Sequence, residues 1–253
     1  MSITDLNFPE IEYSRTGLVS VVCQLRFNPL LRIAVGPPVE FQERLRQEFP
    51  KLIGEQGLEV AVTVGRMPVP ELPGSSGAAP VIWRFKTEDE TWTASLATDF
   101  LSLETSQYRH FPDFEARLDR IHDAFQEFYP TDHFVRVGLR YINLFKEADF
   151  PGGWGQRFNP RLLGVFLDEA LGSDVSEMKQ AFVLSSDNWR IALRHGIEED
   201  GGYRLDIDHF IEENVRAPEV LTKLREFNNR GYQVFRWSIS DTMHEEMEPH
   251  EID

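Results

Sequence analysis

Alternating apolar and polar positions predict a chain with many β-strands. Leu18 to Phe27 is rich in Val and Leu, and His133 to Phe145 has the same character. Runs of this kind fit a pleated surface with at least one buried face. Further runs that predict strands cover residues 58–64, 81–86, 92–108, 178–184, 189–196 and 203–212.

Apolar residues spaced three and four apart predict helices between these strands. One such stripe covers 39–52 after Pro37-Pro38, and a short one covers 160–171. Pro112 and Pro218 open the two long helices, because proline is tolerated in the first turn. Ser240 is expected to cap a last short helix, since its hydroxyl can accept from a free backbone amide.

The order of these elements predicts an internal duplication. Val21-Val22-Cys23-Gln24-Leu25-Arg26-Phe27 resembles Val135-Arg136-Val137-Gly138-Leu139-Arg140-Tyr141, and Trp83-Arg84-Phe85 resembles Trp189-Arg190-Ile191. Phe100 and the Pro112 helix have counterparts in Phe210 and the Pro218 helix. We therefore predict two β-α-β-β-β-α halves, residues 1–132 and 133–253, packed as one body.

The short connections between strands favour antiparallel pairing. We expect an α+β fold, with a mostly antiparallel sheet and helices packed on one face. The other face would then be open to solvent or to a partner.

Residues 65–80 contain the one low-complexity stretch of the chain, rich in Pro, Gly and Ser. Proline lacks an amide donor and glycine loses much entropy on ordering, so this stretch is expected to be a mobile loop.

Composition narrows the classes of function. The chain has 42 acidic and 26 basic residues, a formal net charge of -16, which disfavours binding to nucleic acid. The first residues lack the features of a signal peptide, and no apolar run is long enough for a membrane span, so we expect a cytoplasmic protein that does not bind membranes. Cys23 is the only cysteine, which rules out an intrachain disulfide.

Arginines on the predicted strands are the main candidates for binding. Guanidinium groups bind carboxylate or phosphate with two hydrogen bonds, and they stack on tryptophan. The alternative is internal ion pairing with Asp99, Glu104, Asp206 and Asp208. The candidate ligand or partner residues are Arg26, Arg84, Arg136, Arg140, Arg190, Trp83 and Trp189.

Asp206 and Asp208 lie two apart in a predicted strand, so both carboxylates project from one face. Together with Glu104 or His195 they could hold a divalent metal for hydrolysis. The alternating pattern around them instead favours a solvated strand face. No serine elbow, phosphate loop or paired-histidine motif is present.

The segments Leu18–Ile33 (LVSVVCQLRFNPLLRI), Phe41-Gln42, Phe49-Pro50 and His133–Asn143 (HFVRVGLRYIN) resemble a sporadically distributed prokaryotic family of about this length. Members of that family carry no assigned activity. Its patchy distribution implies accessory genes, such as defence, toxin–antitoxin or immunity-like modules. The resemblance supplies no catalytic residues to carry over, and we expect no cofactor.

We therefore expect a non-enzymatic interaction or accessory subunit. Its partner would be another protein encoded nearby, with a second copy of the same chain as the alternative partner. A metal-dependent hydrolase or nuclease using Asp206 and Asp208 is one alternative function. A binding module for a small anionic ligand is the other.

Overall fold

The computed structural model describes residues 5–56, 81–186 and 188–251. The expected loop at 65–80 and the predicted strand at 58–64 lie outside these residues. The strands are β1 (Glu12–Tyr13), β2 (Leu18–Arg26), β3 (Lys51–Gln56), β4 (Val81–Lys86), β5 (Trp92–Leu96), β6 (Phe100–Thr105), β7 (His133–Phe134), β8 (Arg136–Phe145), β9 (Met178–Ser186), β10 (Trp189–Ile197), β11 (Tyr203–Ile211), β12 (Val215–Arg216) and β13 (Pro249–His250).

Six α-helices accompany these strands in the described part of the chain. They are α1 (Leu31–Ala34), α2 (Val39–Leu45), α3 (Phe111–Phe128), α4 (Pro160–Leu163), α5 (Val220–Ser238) and α6 (Asp241–Glu246). The predicted caps are where the sequence places them: Pro112 lies in the first turn of α3, and Ser240 Oγ accepts from the Met243 amide at the start of α6. None of these helices is long and apolar enough to cross a membrane.

One antiparallel sheet of nine strands organises the molecule. Its order is β3-β4-β5-β6-β2-β8-β11-β10-β9, with β2 and β8 at the centre. The α+β class with a mostly antiparallel sheet is thus confirmed. Two short pairs, β1 with β13 and β7 with β12, lie outside this sheet.

The helices cover a single face of the sheet, as predicted. On β2, Val21, Cys23 and Leu25 are fully buried in a cluster that also contains side chains of α2, α3 and α5. A second cluster joins β8, β10 and β11 to α4, α5 and α6. Neither cluster includes a strand side chain from the opposite face, which therefore carries no helix of either cluster.

Reading outward from the centre, the strand order is similar in both directions. β2 and β8 are followed by β6 and β11, then β5 and β10, then β4 and β9. The first half ends with the additional strand β3. This topology accords with a duplication, which itself stays a prediction from the sequence.

The described part of the first half contains a hairpin that the sequence pattern did not predict. The predicted single strand at 92–108 is wrong, because the chain reverses at 97–99 and forms the hairpin of β5 and β6. Phe27 donates its amide to the Asp99 carbonyl and so ties this turn to the end of β2. Consequently Trp83 on β4 and Trp189 on β10 do not occupy matching places in the sheet.

The predicted helix at 39–52 is also too long. α2 ends at Leu45, and β3 begins at Lys51. Phe49 continued the apolar spacing because it is buried in the first cluster, although it lies in the turn between the two elements.

Candidate binding surfaces

The sheet face opposite the helices carries a row of charged side chains across its central strands. The register places Arg26 beside Arg136, and Arg140 beside Asp208. Directly paired residues of antiparallel strands project to the same face. We call this surface the charged face, defined by Arg26, Arg136, Arg140, Arg194, Asp206 and Asp208.

Arg140 and Asp206 form the most closely bonded pair of the charged face. Arg140 donates through Nε to Asp206 Oδ1 at 2.8 Å and through Nη2 to Oδ2 at 2.6 Å. Arg194 approaches the same carboxylate from β10, with Nη1 at 3.6 Å from Oδ2. The Asp206 side chain is only 2% exposed, so its charge depends on these two cations.

Arg136 engages Asp208 by lying flat along the sheet. Its Nη2 donates to Asp208 Oδ2 at 3.1 Å, and its Cζ lies 4.7 Å from the centre of the Phe210 ring. A Cβ added to Gly138 would lie 2.6 Å from Arg136 Nη1. The absence of a side chain at Gly138 thus leaves the space on β8 that the Arg136 guanidinium occupies.

Burial and charge compete in the pKa values of this cluster. Burial raises the pKa of the Asp208 carboxyl above its ordinary value, and the neighbouring arginines offset only part of that rise. Burial alone would lower the pKa of Arg140, but its bonds to Asp206 outweigh that effect and raise it.

The remaining predicted arginines lie nearer the edges of the face. Arg26 donates to Asp99 Oδ2 at 2.5 Å, and Arg190 donates to Glu212 Oε2 at 2.7 Å. Arg84 lies on β4, paired in register with Ser95. Arg26 and Arg140 therefore share one face, as the sequence predicts, but both are held by carboxylates.

The two predicted tryptophans do not join the arginines. Trp83 and Trp189 contact the buried clusters on the helix side, because neighbouring residues of a strand project to opposite faces. The cation over Trp189 is Arg230 of α5, at 5.1 Å, rather than a strand arginine.

The carboxylates proposed for a metal are already engaged. Asp206 and Asp208 accept from arginines, and His195 faces the helices, where its Nδ1 lies 2.9 Å from the Tyr203 hydroxyl. Glu104 accepts from Ser20 Oγ at 3.0 Å. No group of three or more potential metal ligands occurs within residues 5–56, 81–186 and 188–251. The geometry gives the metal hypothesis no support.

A second candidate surface is the outer edge of the sheet at β9. Nine residues pair with β10 in unbroken register, and among the named strands β9 has no neighbour on its other side. Phe182 is 37% exposed on the helix side, and Val183 is 57% exposed on the charged face. A strand exposed on both faces and along one edge offers backbone donors and acceptors to another strand.

Exposed apolar residues also precede β9 in the chain. Val165, Leu167 and Leu171 are exposed, in the short helical turns that follow α4. A Cβ at Gly164 would lie 3.9 Å from Gln180 Nε2, so these turns begin beside β9. The sequence pattern identified the strand but could not reveal that it forms an edge.

A cavity of about 580 Å³ lies between the β4–β5 turn and the start of α3. Several of its polar groups already have partners within the protein. Thr87 and Thr91 donate to Asp89, His110 caps α3, and Arg117 stacks 4.4 Å from the Trp92 ring while it pairs with Glu48. These contacts give Thr87, Thr91, His110 and Arg117 structural roles.

Cys23 is completely buried among the strands, and burial raises the pKa of its thiol. This environment favours the unreactive protonated form.

A scan against protein-family models finds no match for this chain, and a search of curated proteins finds no similar sequence.

Proposed function

We propose that this protein is a non-enzymatic interaction subunit that binds another protein through β9. The observation that carries the proposal is the exposure of this strand along its edge and on both faces. Folded proteins commonly protect long edge strands with charges, prolines, bulges or covering elements. From Gln180 to Ser186, β9 has no charged residue and no proline.

The form of the edge indicates what the partner contributes. Unpaired backbone groups are satisfied by an extended segment that adds one strand to the sheet. Phe182 and Val183 would contact apolar side chains of that segment on its two faces. The apolar turns at 164–171 extend the same surface.

The charge of this surface indicates which residues the partner segment should carry. Residues 164–178 contain Asp168, Glu169, Asp174 and Glu177 and no basic residue. A partner segment with an apolar centre and basic flanking residues complements this surface, whereas a second copy of the chain brings the same acidic residues. We therefore favour a different protein, and the product of a neighbouring gene is the first to test.

The test compares tagged wild-type protein with Val183→Lys at native expression, in low salt. A lysine at the edge hinders strand addition, so we expect the partner to be lost. Val35→Lys is the matched control, because Val35 is 84% exposed in the other half of the chain. It should retain the partner.

A captured protein supports the proposal only after it is identified and the complex is rebuilt from purified components. Amides 178–186 should then exchange hydrogen more slowly in the complex. Unchanged exchange in β9, equal binding by Val183→Lys, or a chain that is recovered alone and monomeric would overturn the proposal. A concentration-dependent dimer abolished by Val183→Lys would assign the edge to self-association instead.

A further inference from the structure

Three strands form a hollow around Gly196 at the outer part of the charged face. Gly196 on β10 pairs in register with Lys179 on β9 and with Arg204 on β11. Two residues along β10, Arg194 occupies the same face. The hollow has a volume of about 300 Å³. Its lining on this face consists of Lys179, Ala181, Arg194, Gly196, Glu198, Arg204 and Asp206.

Gly196 keeps the middle of this hollow free of side-chain atoms. A Cβ at this position would lie 1.7 Å from the Met178 carbonyl oxygen, which no rotation of a side chain can relieve. The backbone thus requires glycine, and the space between Lys179 and Arg204 stays open as a consequence.

Arg194 is the residue that points to a ligand. Among the described residues its one ion pair is with Asp206 at 3.6 Å, and its enclosed Nη1 donates no hydrogen bond to any of them. Arg26, Arg136, Arg140, Arg190 and Arg204, by contrast, each donate to a carboxylate. Nη1 itself is enclosed, but the Arg194 side chain is 26% exposed, so an added acceptor would have to meet the guanidinium at its other nitrogens.

The carboxylates around Arg194 are bonded mainly to other cations. Asp206 is bonded on both oxygens by Arg140, Glu198 pairs with Arg204, and Glu177 pairs with Lys179. Asp208, bonded by Arg136, and Glu199, whose charge acts on Lys179, bring the carboxylates near the hollow to five, equal in number to the five cations. Arg194 is the one of these cations with no hydrogen-bonded carboxylate. Attraction of an anion therefore rests on the Arg194 guanidinium itself rather than on an excess of positive charge around it.

We propose that this hollow binds a compact oxyanion, a carboxylate or phosphate group, with Arg194 as its principal donor. The guanidinium presents two parallel N–H groups that match two oxygens of such a group. Arg204 and Lys179 lie on either side, each paired with a carboxylate of its own. The volume is at the lower end of the range for small-molecule sites, which suits a small anion rather than a nucleotide.

The test is a titration of the full chain with inorganic phosphate and, separately, with succinate, followed through the arginine side-chain signals in NMR spectra. Sodium chloride at equal ionic strength controls for general charge screening. We expect saturable shifts of the Arg194 signals with at least one of the two probes. A response to phosphate alone would assign a phosphate group, and a response to succinate alone a carboxylate.

Arg194→Gln should weaken binding at least about tenfold, because the charge and the two-pronged donor are both lost. Arg190→Gln is the matched control on the same strand and face, since Arg190 is already bonded to Glu212. It should leave the affinity within about twofold, the range expected of a distant exposed charge.

Arg194→Lys keeps the charge and guards against a folding defect in the glutamine variant. We expect binding weaker than in the wild type, because an ammonium group cannot donate in parallel to two oxygens. Wild-type affinity in Arg194→Lys, no saturable response to either probe, or equal losses in Arg194→Gln and Arg190→Gln would each overturn the proposal. The proposal does not depend on a partner at β9.

Discussion

His209 shows how strongly burial acts on a single side chain. Its Nδ1 lies 3.2 Å from the Phe227 carbonyl, its ring stacks on Phe227 at 4.1 Å, and its Nε2 has no partner among the described residues. Burial lowers its pKa from 6.5 to about 3. The folded protein therefore holds this histidine neutral, with the Nδ1 proton donated to the carbonyl.

This shift predicts a loss of stability in acid. The unfolded chain binds the His209 proton more readily, so the contribution is complete above pH 6.5 and is lost as the pH falls toward 3. Between pH 7.5 and 4.5, we expect the unfolding free energy of the wild type to fall by about 2–3 kcal/mol more than that of His209→Phe. Urea unfolding at several pH values measures this difference.

His133→Gln serves as the control, because His133 is exposed on β7. Its stability should follow the wild-type pH profile. Parallel profiles for the wild type and His209→Phe would show that His209 does not carry the effect.

For single residues, the sequence predicts the sheet face to which a side chain projects but not the residue to which it bonds. Strand periodicity places Arg26 and Arg140 on one face, and the sequence offers Asp99, Asp206 and Asp208 as possible ion-pair partners for them. It cannot show that Arg140 crosses to Asp206 rather than to Asp208 directly opposite, or that Arg194 lacks a hydrogen bond. Those outcomes depend on side-chain reach within a register that the sequence does not specify.

The two central strands place their arginines in unequal environments. Arg26 near the end of β2 is 42% exposed and bonds a partly exposed carboxylate, whereas Arg140 within β8 is 14% exposed and bonds a buried one. Removing one member of an ion pair lowers the unfolding free energy most where the remaining charge is buried.

We therefore predict that Arg140→Ala lowers the unfolding free energy by about 3–5 kcal/mol, because Asp206 loses its main counter-charge. Arg26→Ala should lower it by only about 0–1 kcal/mol, the range of an exposed ion pair. Chemical denaturation of both variants, and of the double variant, gives these values. Equal losses in the two single variants would contradict the environments described for them.

Elements with a clear period and a clear start were predicted best. The long helix opened by Pro112 and the strands β2, β8 and β10 match the structure closely. The hairpin of β5 and β6 was missed, because its turn, Ala97-Thr98-Asp99, contains neither glycine nor proline. The short pair of β1 and β13 has too few residues to form a recognisable pattern.

At the scale of the whole molecule, the two halves share one hydrophobic core across their sequence boundary. The first cluster joins β2 and α3 to β8 and α5, so side chains from both sides of residue 132 bury one another. Neither half can cover this apolar surface alone.

Fragments 1–132 and 133–253 are accordingly expected to be poorly soluble when each is expressed alone. Co-expression should recover soluble protein that contains both fragments, because the β2–β8 junction can form between chains. Yields in the soluble fraction, followed by gel filtration, provide the measurement. A fragment that is soluble, monomeric and cooperatively folded by itself would contradict the single-body description.

The placement of β2 beside β8 also has a consequence for how the chain folds. The two strands are more than a hundred residues apart in sequence. Glu12 of β1 cannot form its strand pair until His250 of β13 has been synthesised. Such distant contacts give a high contact order, which is associated with slow folding. During synthesis, β2 has one uncovered edge until β8 has left the ribosome, and the newly made chain is exposed to aggregation throughout that interval.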